Sequence, residues 1–303
     1  MRMTIHNDIA PAAWLHRIVP PVLRPYARLM RLDRPTGTWL LLLPCWWGVA
    51  LASSKLPDLG LMLLFALGAL IMRGAGCTAN DIYDRKLDAM VERTKGRPLP
   101  SGEVKLWQAA LFLLLLLLLG FGILLLFNRL TILIGVFSLV LVFSYPLMKR
   151  VTWWPQLFLG FTFNWGALMG WSAVRDNGAS FLPFLLYVAG IFWTLGYDTI
   201  YAHQDKRDDE IAGIMSTARL FGDHSRRWVA LFYAVALLVL ALMGTLAGLG
   251  QGFYALLILA AAFAAVQVLA WQPDDPLDCL RRFGANRDFG LVILLAIVLG
   301  KIQ

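Results

Sequence analysis

Charge is scarce in this chain: Asp, Glu, Lys and Arg make up 15% of 303 residues, which excludes a soluble domain with a polar shell. Histidine and cysteine are scarcer still, at 4 and 3 residues. Cys45, Cys77 and Cys279 lie far apart without metal-ligand spacing or a pairing plan, so they read as packing residues or free thiols. Acidic residues number 19 against 27 basic ones, but the resulting charge of +8 is dispersed along the chain. A nucleic-acid partner is excluded, because no basic domain is present to receive one. What fills the chain instead is apolar: 59% hydrophobic residues and a mean hydropathy of +0.67 describe a polytopic membrane protein.

A membrane span takes roughly 17 to 25 mostly apolar residues. Nine such runs occur, near 37–54, 59–79, 106–127, 130–148, 153–174, 180–202, 228–249, 253–271 and 287–303. The stretch Leu111 to Leu119 belongs to one of them and reads as a lipid-facing or packed span, not a coiled coil. Residues 1–36 carry Arg17, Arg24, Arg28, Arg31 and Arg34 with Pro20, Pro21 and Pro25. That segment has no apolar core and is not a cleaved signal peptide. The organisation expected is one membrane-embedded domain over 1–303, with polar loops at 80–105 and 203–227.

Basic residues fall on alternate connections, 22 of the 27 Lys and Arg lying on one side. The positive-inside rule then places the N-terminus and both polar loops in the cytoplasm, and the clean alternation supports nine spans. A bacterial inner membrane is the expected location, because the N-terminal segment lacks an amphipathic transit peptide.

Against this background two acidic stretches stand out, NDIYDRKLD at 80–88 and DTIYAHQDKRDD at 198–209. Carboxylates at a lipid boundary are costly and mark a functional site by default. If the second helix continues past Ala79, Asn80, Asp84 and Asp88 recur every four residues on one face, with Arg73 one heptad earlier. Asp198, Tyr201, Asp205 and Asp209 follow steps of three and four, so the same argument applies again. Such ladders repel themselves and need a cation. Hard oxygen donors without Cys suit Mg²⁺, which keeps several waters and bridges one or two carboxylates to substrate phosphates. Two such clusters would hold a diphosphate through metal ions. His203 reads as a hydrogen-bonded or solvated residue rather than a ligand.

NDIYDRKLD with RPLPSG, YDTIYAHQDKRDD and STARLFG resemble the UbiA superfamily of intramembrane prenyltransferases, and within it the hydroxybenzoate branch. RLDRPTGTWLLLLPCWWG and SYPLMKRVTWWPQ extend the likeness over most of the chain. The resemblance implies an all-α bundle of nine transmembrane helices around a central cavity. It implies Mg²⁺-dependent transfer of a polyprenyl group from its diphosphate to the ring carbon beside the hydroxyl of 4-hydroxybenzoate, as in ubiquinone biosynthesis. By motif position Asn80 and Asp84 would hold one metal, Asp205 and Asp209 the second, with Asp81, Asp88 and Asp198 supporting.

The chemistry asks for more than metal. Ionising an allylic diphosphate puts negative charge on the leaving group and positive charge on carbon. Lys149 and Arg150 are candidates for the diphosphate, and Arg73 and Arg34 for the acceptor's carboxylate. Tyr145, Tyr197, Tyr201, Trp165 and Phe163 are candidates to shield the carbocation. One departure is Met215, where the family pattern GIKST carries a lysine; this chain reads GIMST. Other acceptors of the same superfamily (homogentisate, naphthoate, haem) stay open, as does a transporter, although transporter charges sit nearer the bilayer midplane.

Overall fold

The computed structural model describes residues 13–90, 94–176, 180–211 and 213–302. Among these residues there is no strand, and nine helices have 17 residues or more. They are α1 Thr36–Ala52, α2 Leu59–Asp88, α3 Leu106–Leu124, α4 Arg129–Met148 and α5 Pro155–Val174. α6 Leu182–Ala202, α7 Ser225–Leu246, α8 Gln251–Leu269 and α9 Pro276–Ile302 complete the set. Each matches one expected apolar run, but two are longer than their runs. α2 continues through the first acidic motif, and α9 begins ahead of the apolar stretch and absorbs Arg281, Arg282 and Arg287.

By length and composition six stretches can cross a membrane: α2, α3, α4, the Thr217–Leu246 stretch that contains α7, α8 and α9. α1 is apolar but short, at 17 residues. α5 and α6 are long enough but less apolar, because they carry Gln156 and Asn164, or Asp198 and several tyrosines. An all-helical polytopic chain is therefore established, and a count of nine spans is not.

The chain divides into two compact units. The first comprises Met1–Thr38 and Leu67–Ile123. Its small core gathers Leu29, Leu99, Val104 and Ala109, with Tyr26, Ile82 and Phe112 packed against them. Tyr26 meets Phe112 edge to face at 5.0 Å. α3 buries only Ala109, Leu116 and Gly120, while Leu111, Leu114, Leu115, Leu118 and Leu119 are exposed. A leucine-covered surface of this kind is the outer face of a helix in lipid, where exposure of apolar side chains costs nothing.

The second unit comprises Trp39–Ala66 and Leu124–Gln303. Lipid offers helices no hydrophobic reason to associate, so close packing and hydrogen bonds must hold them. α1 and α5 supply the first through small residues. A Cβ on Gly170 would lie 2.1 Å from the Cys45 carbonyl oxygen, and one on Gly48 would lie 2.3 Å from that of Ala167. Cys45 is thus a contact residue, and all three thiols are buried and unpaired.

Hydrogen bonds supply the second. Asn286 of α9 is fully buried, and its Oδ1 accepts from Trp193 Nε1 of α6 and Tyr233 Oη of α7, both at 2.9 Å. Its Nδ2 donates to the Arg282 carbonyl at 2.9 Å. Trp47 Nε1 of α1 donates to the Gly290 carbonyl of α9 at 2.8 Å. Between α4 and α5, Thr131 Oγ1 and Ser172 Oγ lie 2.8 Å apart, and Asn128 Nδ2 donates to the Ser172 carbonyl at 2.7 Å. Asn128 also caps α4, its Oδ1 accepting from Thr131 N at 2.9 Å.

The end of α8 is closed by Arg282, which donates to the carbonyls of Val266, Gln267 and Ala270. A cation there meets the carbonyls that a helix leaves unpaired. Asp278 holds that arginine, accepting from Arg282 Nε at 2.6 Å and from Gln272 N at 2.8 Å.

Replacing Asn286 by leucine keeps the volume but strands the Trp193 and Tyr233 donors. Each stranded donor costs about 1 to 3 kcal/mol. Thermal unfolding of the detergent-solubilised Asn286→Leu variant is expected to fall several degrees below that of the unaltered protein.

Candidate active site

The first motif lies in the first unit. α2 runs through Asp88 without a break, so the expected helical phase holds across the motif. Asp81 is fully buried, Asp84 and Asp88 nearly so, and Asn80 is half-buried.

Two arginines hold part of this acidity. Arg31 Nη2 forks onto Asp81, 2.7 Å from Oδ1 and 3.0 Å from Oδ2. Arg97 Nη1 reaches Asp88 Oδ2 at 2.9 Å and Asp81 Oδ1 at 3.4 Å. Burial works against the charge of Arg31, yet Asp81 more than offsets it, and the guanidinium pKa lies above its usual value. Arg31 has φ 57, a left-handed backbone rarely taken by a residue with a Cβ. In that position its Nη1 also donates to the Arg28 carbonyl at 2.8 Å.

The loop after the motif folds back on it. Thr94 Oγ1 donates to the Asp88 carbonyl at 2.9 Å, so the open end of α2 is capped. Arg97 then ties the RPLPSG segment to the helix, and Glu103 pairs with Arg28 of the N-terminal segment. Residues 91–93 of this loop lie outside those described. Arg73 is half-buried on α2, and its guanidinium lies where a Cβ on Gly37 would sit, 2.6 Å from Nε. A side chain at position 37 would displace it. Arg34 is half-buried, with Nε 3.4 Å from Asp33 Oδ2.

The second motif lies in the second unit, and its ladder is interrupted. α6 ends at Ala202, a 3₁₀ turn covers His203–Asp205, and a short helix spans Lys206–Ile211. A 3₁₀ turn has about three residues per turn rather than 3.6, so Asp198 and Tyr201 stand on a different element from Asp205 and Asp209. All four are half-buried. His203 is buried rather than solvated, edge to face against Trp271 at 4.9 Å. Burial, reinforced by Lys206, pushes its pKa down to about 4, so it sits neutral inside the fold.

The loop that follows is gathered by Arg219. Its Nη1 donates to the carbonyls of Ile214 and Asp209, and its guanidinium lies 5.3 Å above the Trp153 ring. The Met215 N–H donates to the Lys149 carbonyl at 2.9 Å, which brings this loop to the segment carrying Lys149 and Arg150. Lys149 is half-buried and Arg150 exposed. Thr217 is fixed from two sides, its N–H donating to Gln156 Oε1 at 3.0 Å and its hydroxyl 2.8 Å from that of Thr199.

Of the aromatic candidates, Tyr197 is fully buried, accepts from Thr194 Oγ1 at 3.1 Å and packs on Trp193 and Phe283. Tyr201 packs against Phe283 with ring centroids 4.4 Å apart and planes tilted by 36°. Trp165 Nε1 donates to the Ile134 carbonyl at 2.8 Å, Phe163 is buried, and Tyr145 is half-buried against the core.

The donor set has a defined chemistry. Among the described residues, no three His, Cys, Asp or Glu side chains converge to hold a metal by themselves. The oxygen donors of Asn80, Asp84, Asp205 and Asp209 suit a hard divalent cation that completes its sphere with water and phosphate. Arg31, Arg97 and Arg219 are functional candidates that sequence reasoning passed over. Arg31 counted only as a topology charge, while Arg97 and Arg219 stood inside the quoted RPLPSG and STARLFG segments without a role.

The sequence matches the UbiA prenyltransferase family over residues 41–294. It is 48% identical over 295 residues to "4-hydroxybenzoate polyprenyltransferase, mitochondrial" of Arabidopsis thaliana, covering 97% of this chain and 72% of that protein. It is 47% identical to the Homo sapiens protein of the same name, over 93% and 77% of the two chains. Among solved structures, a UbiA homolog from Aeropyrum pernix K1 superposes with a TM-score of 0.70 at 26% identity, over 86% of this chain and 96% of that one. A UbiA homolog from Archaeoglobus fulgidus bound to GPP and Mg²⁺ gives 0.68 at 20% identity, over 90% and 99%, and carries the fold alone. One expectation is overturned here. These relatives are named as mitochondrial, which points away from a bacterial inner membrane. Basic residues report which side of a membrane a loop occupies, not which membrane it is.

Arg219→Gln is expected to loosen the 206–216 loop, because two carbonyls lose their shared donor. Limited trypsin digestion of the solubilised protein checks this, with faster cleavage after Lys206 and Arg207 than in the unaltered chain.

Proposed function

We propose that this chain, which belongs to the UbiA prenyltransferase family, transfers a polyprenyl group from its diphosphate to the ring carbon beside the hydroxyl of 4-hydroxybenzoate. The observation that carries the reading is the near-full-length identity of 46 to 48% with enzymes of that name in plants and animals. Ubiquinone biosynthesis is the corresponding pathway. The two acidic motifs supply what the chemistry asks for.

In this reading the allylic C–O bond breaks, diphosphate leaves, and a C–C bond forms between the prenyl carbon and the aromatic ring, which then loses its proton. Asn80 and Asp84 would hold one Mg²⁺, and Asp205 and Asp209 would hold another. Bound there, the metal offsets the charge that develops on the departing diphosphate. Lys149 and Arg150 add positive charge for the diphosphate, aided by the Met215–Lys149 backbone bond that brings their segment to the second motif's loop. That bond also bears on the missing lysine at position 215, because it needs the backbone alone.

Arg73, seated over Gly37, and Arg34 are the cations for the acceptor's carboxylate. Tyr145 and Tyr201 offer π-faces to the prenyl cation. Asp198 supports the second motif from the end of α6. A long prenyl chain needs an apolar path open to lipid, which a polytopic helical fold provides.

Membranes containing the protein are expected to convert 4-hydroxybenzoate and a polyprenyl diphosphate to the 3-prenylated product, and to leave homogentisate and a naphthoate unreacted. Product analysis of that acceptor panel by mass spectrometry decides class and branch together. Asp84→Ala and Asp205→Ala are each expected to lower turnover by at least a hundredfold while the protein still inserts; near-normal rates in either would remove that residue from the metal site.

A further inference from the structure

The four polar residues of the first motif fall on two neighbouring stripes. Consecutive residues of an α-helix turn by about 100°, so Asp81 and Asp88, seven apart, come within about 20° of each other. Asn80 and Asp84 are about 40° apart and lie to one side of that pair. The observed contacts respect the division. One guanidinium nitrogen, Arg97 Nη1, touches both Asp81 and Asp88, and Arg31 forks onto Asp81 from the N-terminal segment.

Both arginines are themselves fixed. Arg31 is anchored through Nη1 to the Arg28 carbonyl at 2.8 Å and takes a left-handed backbone to do so. Backbone of that kind persists where the surroundings over-determine it. Arg97 sits in a loop closed by Thr94 Oγ1 on the Asp88 carbonyl and by its own N–H on the Thr94 carbonyl, both at 2.9 Å. Buried ion pairs are weak contributors to stability, since packed apolar residues do as well. A chain with only 19 acidic residues that commits two of them here gains orientation instead.

We propose that Arg31 and Arg97 are positioning residues for the first metal site, holding Asp81 and Asp88 so that the end of α2 presents Asn80 and Asp84 to the ion. Both arginines act through the carboxylates they hold. Asp81 and Asp88 are the fixed ends of the clamp, and the two guanidiniums offset the mutual repulsion of the ladder. The inference rests on the assignment of Asn80 and Asp84 to the metal.

The test uses the full-length protein in detergent, with Mn²⁺ as the probe and inorganic diphosphate present, free Mn²⁺ being read by electron paramagnetic resonance. Arg31→Gln and Arg97→Gln are expected to weaken Mn²⁺ binding about tenfold, as loss of an outer-shell partner does. The KM for 4-hydroxybenzoate should stay within about twofold, since a raised KM reports lost substrate contacts. Arg97→Lys and Arg31→Lys keep the charge but lose the fork, so they should fall between, and they serve if the glutamine variants do not fold. Asp81→Asn combined with Arg31→Gln should bind no more weakly than Asp81→Asn alone, because Asp81 is the carboxylate that Arg31 holds. Unchanged Mn²⁺ affinity in the arginine variants, with Asp84→Asn weakened, overturns the proposal. A raised acceptor KM with unchanged Mn²⁺ binding also overturns it and makes the arginines substrate ligands. If Asp84→Asn itself binds Mn²⁺ normally, the metal assignment fails first.

Discussion

A carboxylate at the edge of lipid must have a cation, and most of what is distinctive here follows from that requirement. Asp81 is fully buried where two guanidiniums reach it, and Asp278 is buried where Arg282 does the same near the other end of the chain. The two pairs have different consequences. Arg282 closes the carbonyl end of α8 and fixes the turn into α9, whereas Arg31 and Arg97 bind the N-terminal segment and the RPLPSG loop to the end of α2. Ion pairing thus shapes helix ends within each of the two units.

The second motif meets the same requirement by other means. Asp205 closes a 3₁₀ turn whose His203 is pressed, uncharged, against Trp271, and Asp209 stands on the short helix that follows. Trp271 is itself held, its Nε1 donating to Cys279 Sγ at 3.3 Å and its carbonyl accepting from Arg226. The loop beyond is gathered by Arg219 through backbone carbonyls. Met215 shows why a missing cation need not dismantle the loop: its N–H, not its side chain, makes the bond to Lys149.

The helices were legible because apolar runs of span length have few other fates, and the first motif because α2 keeps its phase through Asp88. Three things were not legible. Asn286 joins Trp193 and Tyr233 across 93 and 53 residues of sequence, and no local pattern announces such a bond. Arg31 and Arg97 looked like topology charges, since a sequence gives the sign of a residue and not its partner. The even steps of the second motif suggested one helical face, but the 3₁₀ turn at His203 divides it. Location failed for a related reason, because the distribution of basic residues is the same signal in any membrane that obeys the rule.

Binding of diphosphate by divalent metal at these tolerated carboxylates is the central claim, and stoichiometry tests it most directly. The purified protein, reconstituted in liposomes with a polyprenyl diphosphate, 4-hydroxybenzoate and Mg²⁺, should release one diphosphate for each ring prenylated. Removing the metal with a chelator should stop both together. Prenylated product that continues to form in the chelator, or diphosphate released without product, would contradict the account.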